Sequence, residues 1–111
     1  MGERAYVVFK DKQNDEISPA IYLHIQGEEV KELLYKTEIQ MDGRNDAEYA
    51  SARFVQVCAN ELSKWGQDNL SIGLKSIKEE DLNQFELDNT KWLQHGIFYV
   101  ELPNWEVTQV R

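Results

Sequence analysis

The alternation of apolar and polar residues over positions 18–26 is the feature that most constrains the fold. Ile21 and Leu23 fall on one side of this stretch, while Tyr22 and His24 fall on the other. A period of two predicts a β-strand with one apolar face. Such a strand needs an amphipathic partner to bury that face, so the rest of the chain must supply one.

A helical pattern of apolar residues comes next along the chain. From Glu28 onward apolar residues recur every three or four positions, and a second run of this kind extends from Asn45 to Trp65. Both patterns predict amphipathic helices, with Trp65 closing the core at the end of the second. The acidic stretch 78–89 is predicted to be a loop with one helical turn. Further strands are predicted at residues 5–10, 69–77, 96–102 and 105–110.

The predicted order is β-β-α-α-β-β-β, with strands at both ends and helices in the middle. This order favours a single α+β domain over residues 1–111, with a mainly antiparallel sheet and two helices packed on one face. The six polar residues between the first two strands are too few for a parallel crossover, so these strands are expected to pair as an antiparallel hairpin.

Composition narrows the cellular setting. Cys58 is the only cysteine among 111 residues, which excludes an internal disulfide and fits a reducing compartment. Met1-Gly2-Glu3-Arg4 is charged and does not resemble a signal peptide, and no apolar run has the roughly 20 residues of a membrane span. We therefore expect a soluble cytoplasmic protein that does not bind membranes.

The net charge of −8 restricts the possible partners. Direct nucleic-acid binding requires Lys and Arg to displace counterions, so we do not expect it. A basic protein partner is compatible with this charge. The alternative is that the charge only keeps a small protein in solution.

Residues that carry chemistry are few. The sequence has no metal-binding His or Cys spacing and no glycine-rich phosphate loop, so no metal, cofactor or catalytic residue is assigned. Cys58 lies within the apolar stripe of the second helix and is expected to be buried rather than nucleophilic. One alternative remains, a small-ligand-binding protein or enzyme with a pocket between sheet and helices that uses His24 or His95.

The sheet face opposite the helices is unusually rich in aromatic residues. Aromatic side chains with a polar tip are enriched at protein interfaces, although tyrosine is also common in ordinary strands. Two tryptophans that flank the strand at 96–102 are candidate anchors at the rim of this face. The candidate partner-binding residues are Tyr6, Tyr22, His24, Tyr99, Trp92 and Trp105.

Three short segments also carry a resemblance. Residues 4–9 (RAYVVF), 18–24 (SPAIYLH) and 52–56 (ARFVQ) resemble a family of small uncharacterised bacterial proteins found in phage and other mobile elements. Residues 25–27 replace a more polar, glycine-rich turn of that family. The resemblance implies a mobile-element context and no mechanism, and it draws attention to His24.

The preferred interpretation is a non-enzymatic interaction module that forms a homodimer. It would act by protein–protein contact through a sheet face or edge that bears Tyr22 and His24. A specific variant is an inhibitor whose carboxylates occupy the groove of a basic, nucleic-acid-binding partner.

Overall fold

The computed structural model describes residues 3–66 and 71–111. Within these residues one sheet and three α-helices form an α+β domain. The strands are β1 (Ala5–Asp11), β2 (Glu16–Ile17), β3 (Ala20–Leu23), β4 (Ile72–Lys75), β5 (Ile97–Leu102) and β6 (Glu106–Val110). The helices are α1 (Val30–Met41), α2 (Ala47–Lys64) and α3 (Leu82–Asn89), with one-turn 3-10 helices at Gly27–Glu29 and Glu79–Asp81.

The strand order is β4-β3-β1-β5-β6, and β2 pairs beside β1. β1 lies at the centre, antiparallel to β3 with Tyr6 opposite Tyr22, and parallel to β5 with Tyr6 opposite Ile97. The other pairs are antiparallel. The predicted α+β class and the hairpin pairing of β1 with β3 are confirmed. The parallel pair is possible because helices separate β1 from β5 along the chain.

The strand predicted at residues 18–26 is shorter in the structure, where β3 spans only Ala20–Leu23 and residues 24–26 lie outside any strand. β2 ends at Ile17 and β3 begins at Ala20, because Pro19 has no backbone N–H with which to continue the ladder. Ser18 bridges the gap. Its N–H donates to the carbonyl of Phe9, and its Oγ accepts from the N–H of Phe9, both at 2.9 Å. The buried backbone of β1 therefore stays satisfied at this position.

The stretch 78–89 departs from the prediction. It forms the 3-10 turn and α3 instead of a loop, with Leu82 and Phe85 buried against the sheet. The strand predicted at 69–77 is β4, and Asn69 and Leu70 lie outside the described residues, as do Met1 and Gly2. Two helices, α1 and α2, pack on one face as predicted, but α3 packs on the opposite face, so the prediction that helices cover only one face is wrong.

The sheet has a hydrophobic core on each face. α1 and α2 cover the face to which Val7, Phe9, Ile21 and Leu23 point, as the alternation predicted. α3 and the segment that follows it cover the opposite face. The second core consists of Tyr6, Val8, Ala20, Leu82, Phe85, Leu93, Ile97 and Tyr99.

Two predictions concern the burial of residues in α2 and at its end. Cys58 is fully buried, and burial raises the pKa of its thiol, which therefore stays protonated at neutral pH. This agrees with the expected burial of Cys58 in the core. Trp65, expected to close the core, is 46% exposed just beyond the end of the helix, so that prediction is wrong. Leu62, one turn earlier, is the last residue of α2 that is buried.

We expect Ser18→Ala to lower the free energy of unfolding by about 1–3 kcal/mol, because the N–H of Phe9 would be left buried without an acceptor. Urea denaturation measures the change. The control is Ser51→Ala, which removes a hydroxyl that bonds the exposed backbone of α2 and should cost less than about 0.5 kcal/mol. Equal effects of the two substitutions would contradict the bridging function of Ser18.

Candidate interaction surfaces

The tyrosine-rich sheet face is only partly accessible. Tyr6 and Tyr99 point away from α1 and α2, as predicted, but each is only 8% exposed. The ring of Phe85 in α3 packs against Tyr6 with a centroid distance of 5.0 Å. Tyr99 donates its phenolic hydrogen to Oε2 of Glu86 in α3 at 2.6 Å. The expectation that this face is open is therefore wrong at Tyr6 and Tyr99, because α3 covers it.

The rim of this face brings together three more of the predicted residues, Tyr22, His24 and Trp92. Tyr22 lies 5.9 Å from Trp92 between ring centroids, and its hydroxyl is 3.1 Å from Nδ1 of exposed His24. The indole N–H of Trp92 donates to Oδ1 of Asn89, and the guanidinium of Arg4 lies 5.9 Å from the Trp92 ring. These polar tips are therefore already paired within the chain. The rim closes the second core, and contacts within the chain hold the Tyr22 hydroxyl and the Trp92 indole N–H in place.

The second histidine lies in a separate arrangement. His95 Nε2 is hydrogen-bonded to Oε1 of Glu3, while the N–H of Gly27 donates to the carbonyl of Glu3 at 2.7 Å. A Cβ placed on Gly27 would lie 2.3 Å from the carbonyl oxygen of Glu3 and 2.7 Å from Cδ2 of His95. Glycine is therefore required by close packing here. Two cavities flank β6, and neither His24 nor His95 lines them.

The first of these cavities is a groove between α1 and β6, with a volume of about 400 Å³. Tyr35 of α1 is 64% exposed along one wall, and Val107 of β6 is 39% exposed along the other. Charge is balanced, with one lysine and one glutamate at the margin. The lining residues are Lys31, Leu34, Tyr35, Glu38, Trp105, Val107 and Gln109.

Trp105 forms the floor of this groove. Its ring lies 5.6 Å from that of Phe9 between centroids, which joins the groove to the first core. Trp105 has a φ of 59° in the connection between β5 and β6, and its half-buried side chain packs against the first core and lines the groove beside α1. The prediction that Trp105 lies at the rim of the tyrosine-rich face is therefore wrong, because it packs on the opposite face from the other five candidates.

The second cavity lies on the other face of β6, beneath α3, and has a volume of about 520 Å³. Its walls are polar. Lys10 pairs with Glu79 at 3.3 Å and lies 5.7 Å from the centre of the Tyr99 ring. Thr108 and Val110 of β6 complete the wall. The carboxylates that line it are Glu79, Glu80, Glu86 and Glu101.

The sequence analysis missed Tyr35 and Val107. A signal was present on α1, because Tyr35 and Ile39 are apolar but lie off the stripe formed by the buried residues of that helix. Apolar side chains on the polar side of a surface helix indicate a contact outside the core. No comparable signal marked β6, since its position in the sheet is not local information.

Across residues 3–66 and 71–111, no group of three or more His, Cys, Asp or Glu side chains is arranged to hold a metal ion. None of the helices in this part of the chain is both long and apolar enough to cross a bilayer.

Comparison of the chain with protein-family models, with curated proteins and with solved structures gives no match. The surfaces that bear on its function are the tyrosine-rich face and the two cavities beside β6.

Burial predicts an alkaline loss of stability. Burial, followed by the bond to Glu86, raises the pKa of Tyr99, and burial also raises that of Tyr6. An unfolded tyrosine loses its proton near pH 10 while the folded one keeps it, so the free energy of unfolding falls as pH rises above about 10. We expect Tyr99→Phe to reduce this slope by at most about 1.4 kcal/mol per pH unit, measured by urea denaturation at several alkaline pH values.

Tyr35→Phe serves as the control because Tyr35 is exposed and makes none of these buried contacts. It should leave the alkaline slope unchanged. An equal slope in wild type and Tyr99→Phe would refute the contribution of Tyr99.

Gly27→Ala should destabilise the fold by about 1–3 kcal/mol, since the methyl group would displace the backbone of Glu3 or the ring of His95. Gly73→Ala is the matched control. Its Cβ would meet its nearest atom, the Cβ of Tyr22, at an ordinary 3.8 Å. Thermal unfolding compares the two variants, and a similar melting temperature for both would contradict the close-packing argument.

Proposed function

We propose that this chain is a protein-interaction module that binds an extended segment of a partner protein along the outer edge of β6, which pairs with no second strand among residues 3–66 and 71–111. The observation that carries the proposal is the position of β6. It is the last strand in the sheet order, and the apolar groove formed with α1 runs beside it. Backbone groups and apolar side chains are thus offered together at one edge.

Strand addition uses both features of such an edge. The backbone of an incoming extended segment pairs with the outer N–H and C=O groups of the edge strand, and its alternate side chains enter neighbouring pockets. Trp105 and Tyr35 supply aromatic contact area, which is typical of residues that contribute most to binding energy. Trp105 remains a candidate partner-binding residue on this proposal, whereas Tyr22, His24 and Trp92 form the rim of the second core.

β6 is better suited to strand addition than the other outer strand. Natural sheets protect exposed edges by keeping them short or by placing lysine on them, and glycine weakens a strand. β4 has four residues, of which Gly73 and Lys75 are two. β6 has five residues and contains no glycine, proline or lysine. The edge formed by β6 therefore lacks the glycine and lysine of β4, and its one charged residue is Glu106.

A homodimer would use the same edge in a different way. Two copies could pair β6 with β6, but each copy carries a net charge of −8, so their approach is opposed by electrostatic repulsion. We therefore propose a different protein as the partner, working in the cytoplasm, where the free thiol of Cys58 would stay reduced. A stable dimer measured by analytical ultracentrifugation would replace this proposal with self-association.

The proposal is tested with a display library of extended peptides selected against the purified protein. Enriched peptides should shift the NMR amide signals of β6 and Tyr35. Val107→Asp should weaken their binding by about tenfold or more, because a carboxylate in the groove must be desolvated when the peptide binds. Val107 is partly exposed, so the variant is expected to fold.

Leu74→Asp is the matched control, since Leu74 is exposed on β4 at the opposite edge of the sheet. It should leave peptide binding unchanged. Failure to enrich any peptide, or equal weakening by both variants, would refute strand addition at β6.

A further inference from the structure

The two faces of β6 present different chemistry to anything that lies beside it. Val107 and Gln109 line the apolar groove under α1, whereas Thr108 and Val110 line the polar cavity under α3. A strand added to β6 would project successive side chains to these two faces in turn, because side chains alternate along a strand. Its sequence must therefore match two environments with a period of two.

On the α1 face, the requirement is apolar. Tyr35 and Val107 are exposed there, and Trp105 forms the floor. The two charges at the margin, on Lys31 and Glu38, have opposite sign, so this face attracts neither a basic nor an acidic side chain. Removing apolar surface from water is the main favourable contribution that it offers.

On the α3 face, the requirement is a positive charge. Glu106 of β6 lies directly opposite Glu101 of β5, and like charges at such a position repel each other. Lys12 pairs with Glu101 at 3.2 Å and Lys10 with Glu79 at 3.3 Å, which leaves the carboxylates in excess. The carboxylates on this face are Glu79, Glu80, Glu86, Glu101 and Glu106.

We infer that the partner segment alternates apolar and basic side chains, with the apolar ones entering the α1 groove and the lysines or arginines facing the carboxylates under α3. The inference rests on the proposed strand addition at β6 and specifies the sequence class that it selects. An edge strand with carboxylates beside one face and an apolar groove beside the other discriminates against acidic segments by repulsion as well as selecting basic ones by attraction. The net charge of the chain would increase the association rate of a basic partner.

The probe is a synthetic peptide of about eight residues in which lysine and valine alternate. It should bind the full chain about tenfold more tightly than a peptide of the same composition with its lysines and valines in two blocks, since only the alternating peptide satisfies both faces. A peptide that alternates glutamate and valine should show no binding. Isothermal titration calorimetry measures affinity, and NMR amide shifts locate the site.

Two double variants distinguish the effect of the carboxylates on the α3 face on peptide binding from the effect of the net charge of the chain. Glu80→Gln with Glu106→Gln removes two exposed carboxylates from the α3 face and should weaken the alternating peptide about threefold to tenfold. Glu28→Gln with Glu48→Gln removes the same charge from exposed positions elsewhere and should change binding less than about twofold. Equal weakening by the two double variants would overturn the inference.

The inference and the proposed function fail in different ways. Library peptides that bind at β6 without basic alternation would overturn the inference while supporting strand addition. Equal affinity for the alternating and blocked lysine peptides would also overturn it. If no peptide shifts the β6 signals, both proposals fail.

Discussion

The structure depends on β1, the central strand of the sheet, which is paired on both edges and covered on both faces. Residues Ala5 to Phe9 are almost completely inaccessible to solvent, and their backbone bonds to β3 on one side and β5 on the other. A strand in this position must have apolar side chains in both directions, which explains the nearly continuous apolar run AYVVF. Its odd residues anchor α1 and α2, and its even residues anchor α3. Ser18 preserves the hydrogen bonding of this strand where β2 gives way to β3.

Covering β1 from both sides determines which surfaces remain available. α3 packs over Tyr6 and Tyr99, and the rim formed by Tyr22 and Trp92 closes the remaining gap. Aromatic residues that the alternation predicts on an open sheet face therefore stabilise a second core. The accessible apolar surface lies beside the outer strand β6, where α1 leaves a groove. In this fold the centre of the sheet supplies stability, while one edge offers the features that strand addition requires.

The carboxylates of the chain are unevenly distributed around β6. Carboxylates are spread over the whole sequence, but on the α3 face of β6 they outnumber the lysines that pair with them. On the α1 face of the same strand the charges are balanced and the walls are apolar. β6 thus separates an apolar environment from an anionic one. Successive side chains of an added strand would point to one and then to the other. This arrangement makes the proposed recognition depend on pattern rather than on charge alone.

Local periodicity alone determined β1, β3, the two long helices and which side chains of β1 and β3 face α1 and α2, because side-chain direction follows from backbone geometry over a few residues. The burial of Ile21, Leu23 and Cys58 could be predicted for that reason. α3 was missed because its eight residues carry few apolar positions, and its stability comes from packing Leu82 and Phe85 on the sheet. The tertiary structure alone decided that β5 pairs with β1, that β6 is an edge and that Trp105 lies under α1. Those facts depend on contacts between residues far apart in the chain, which no local pattern encodes.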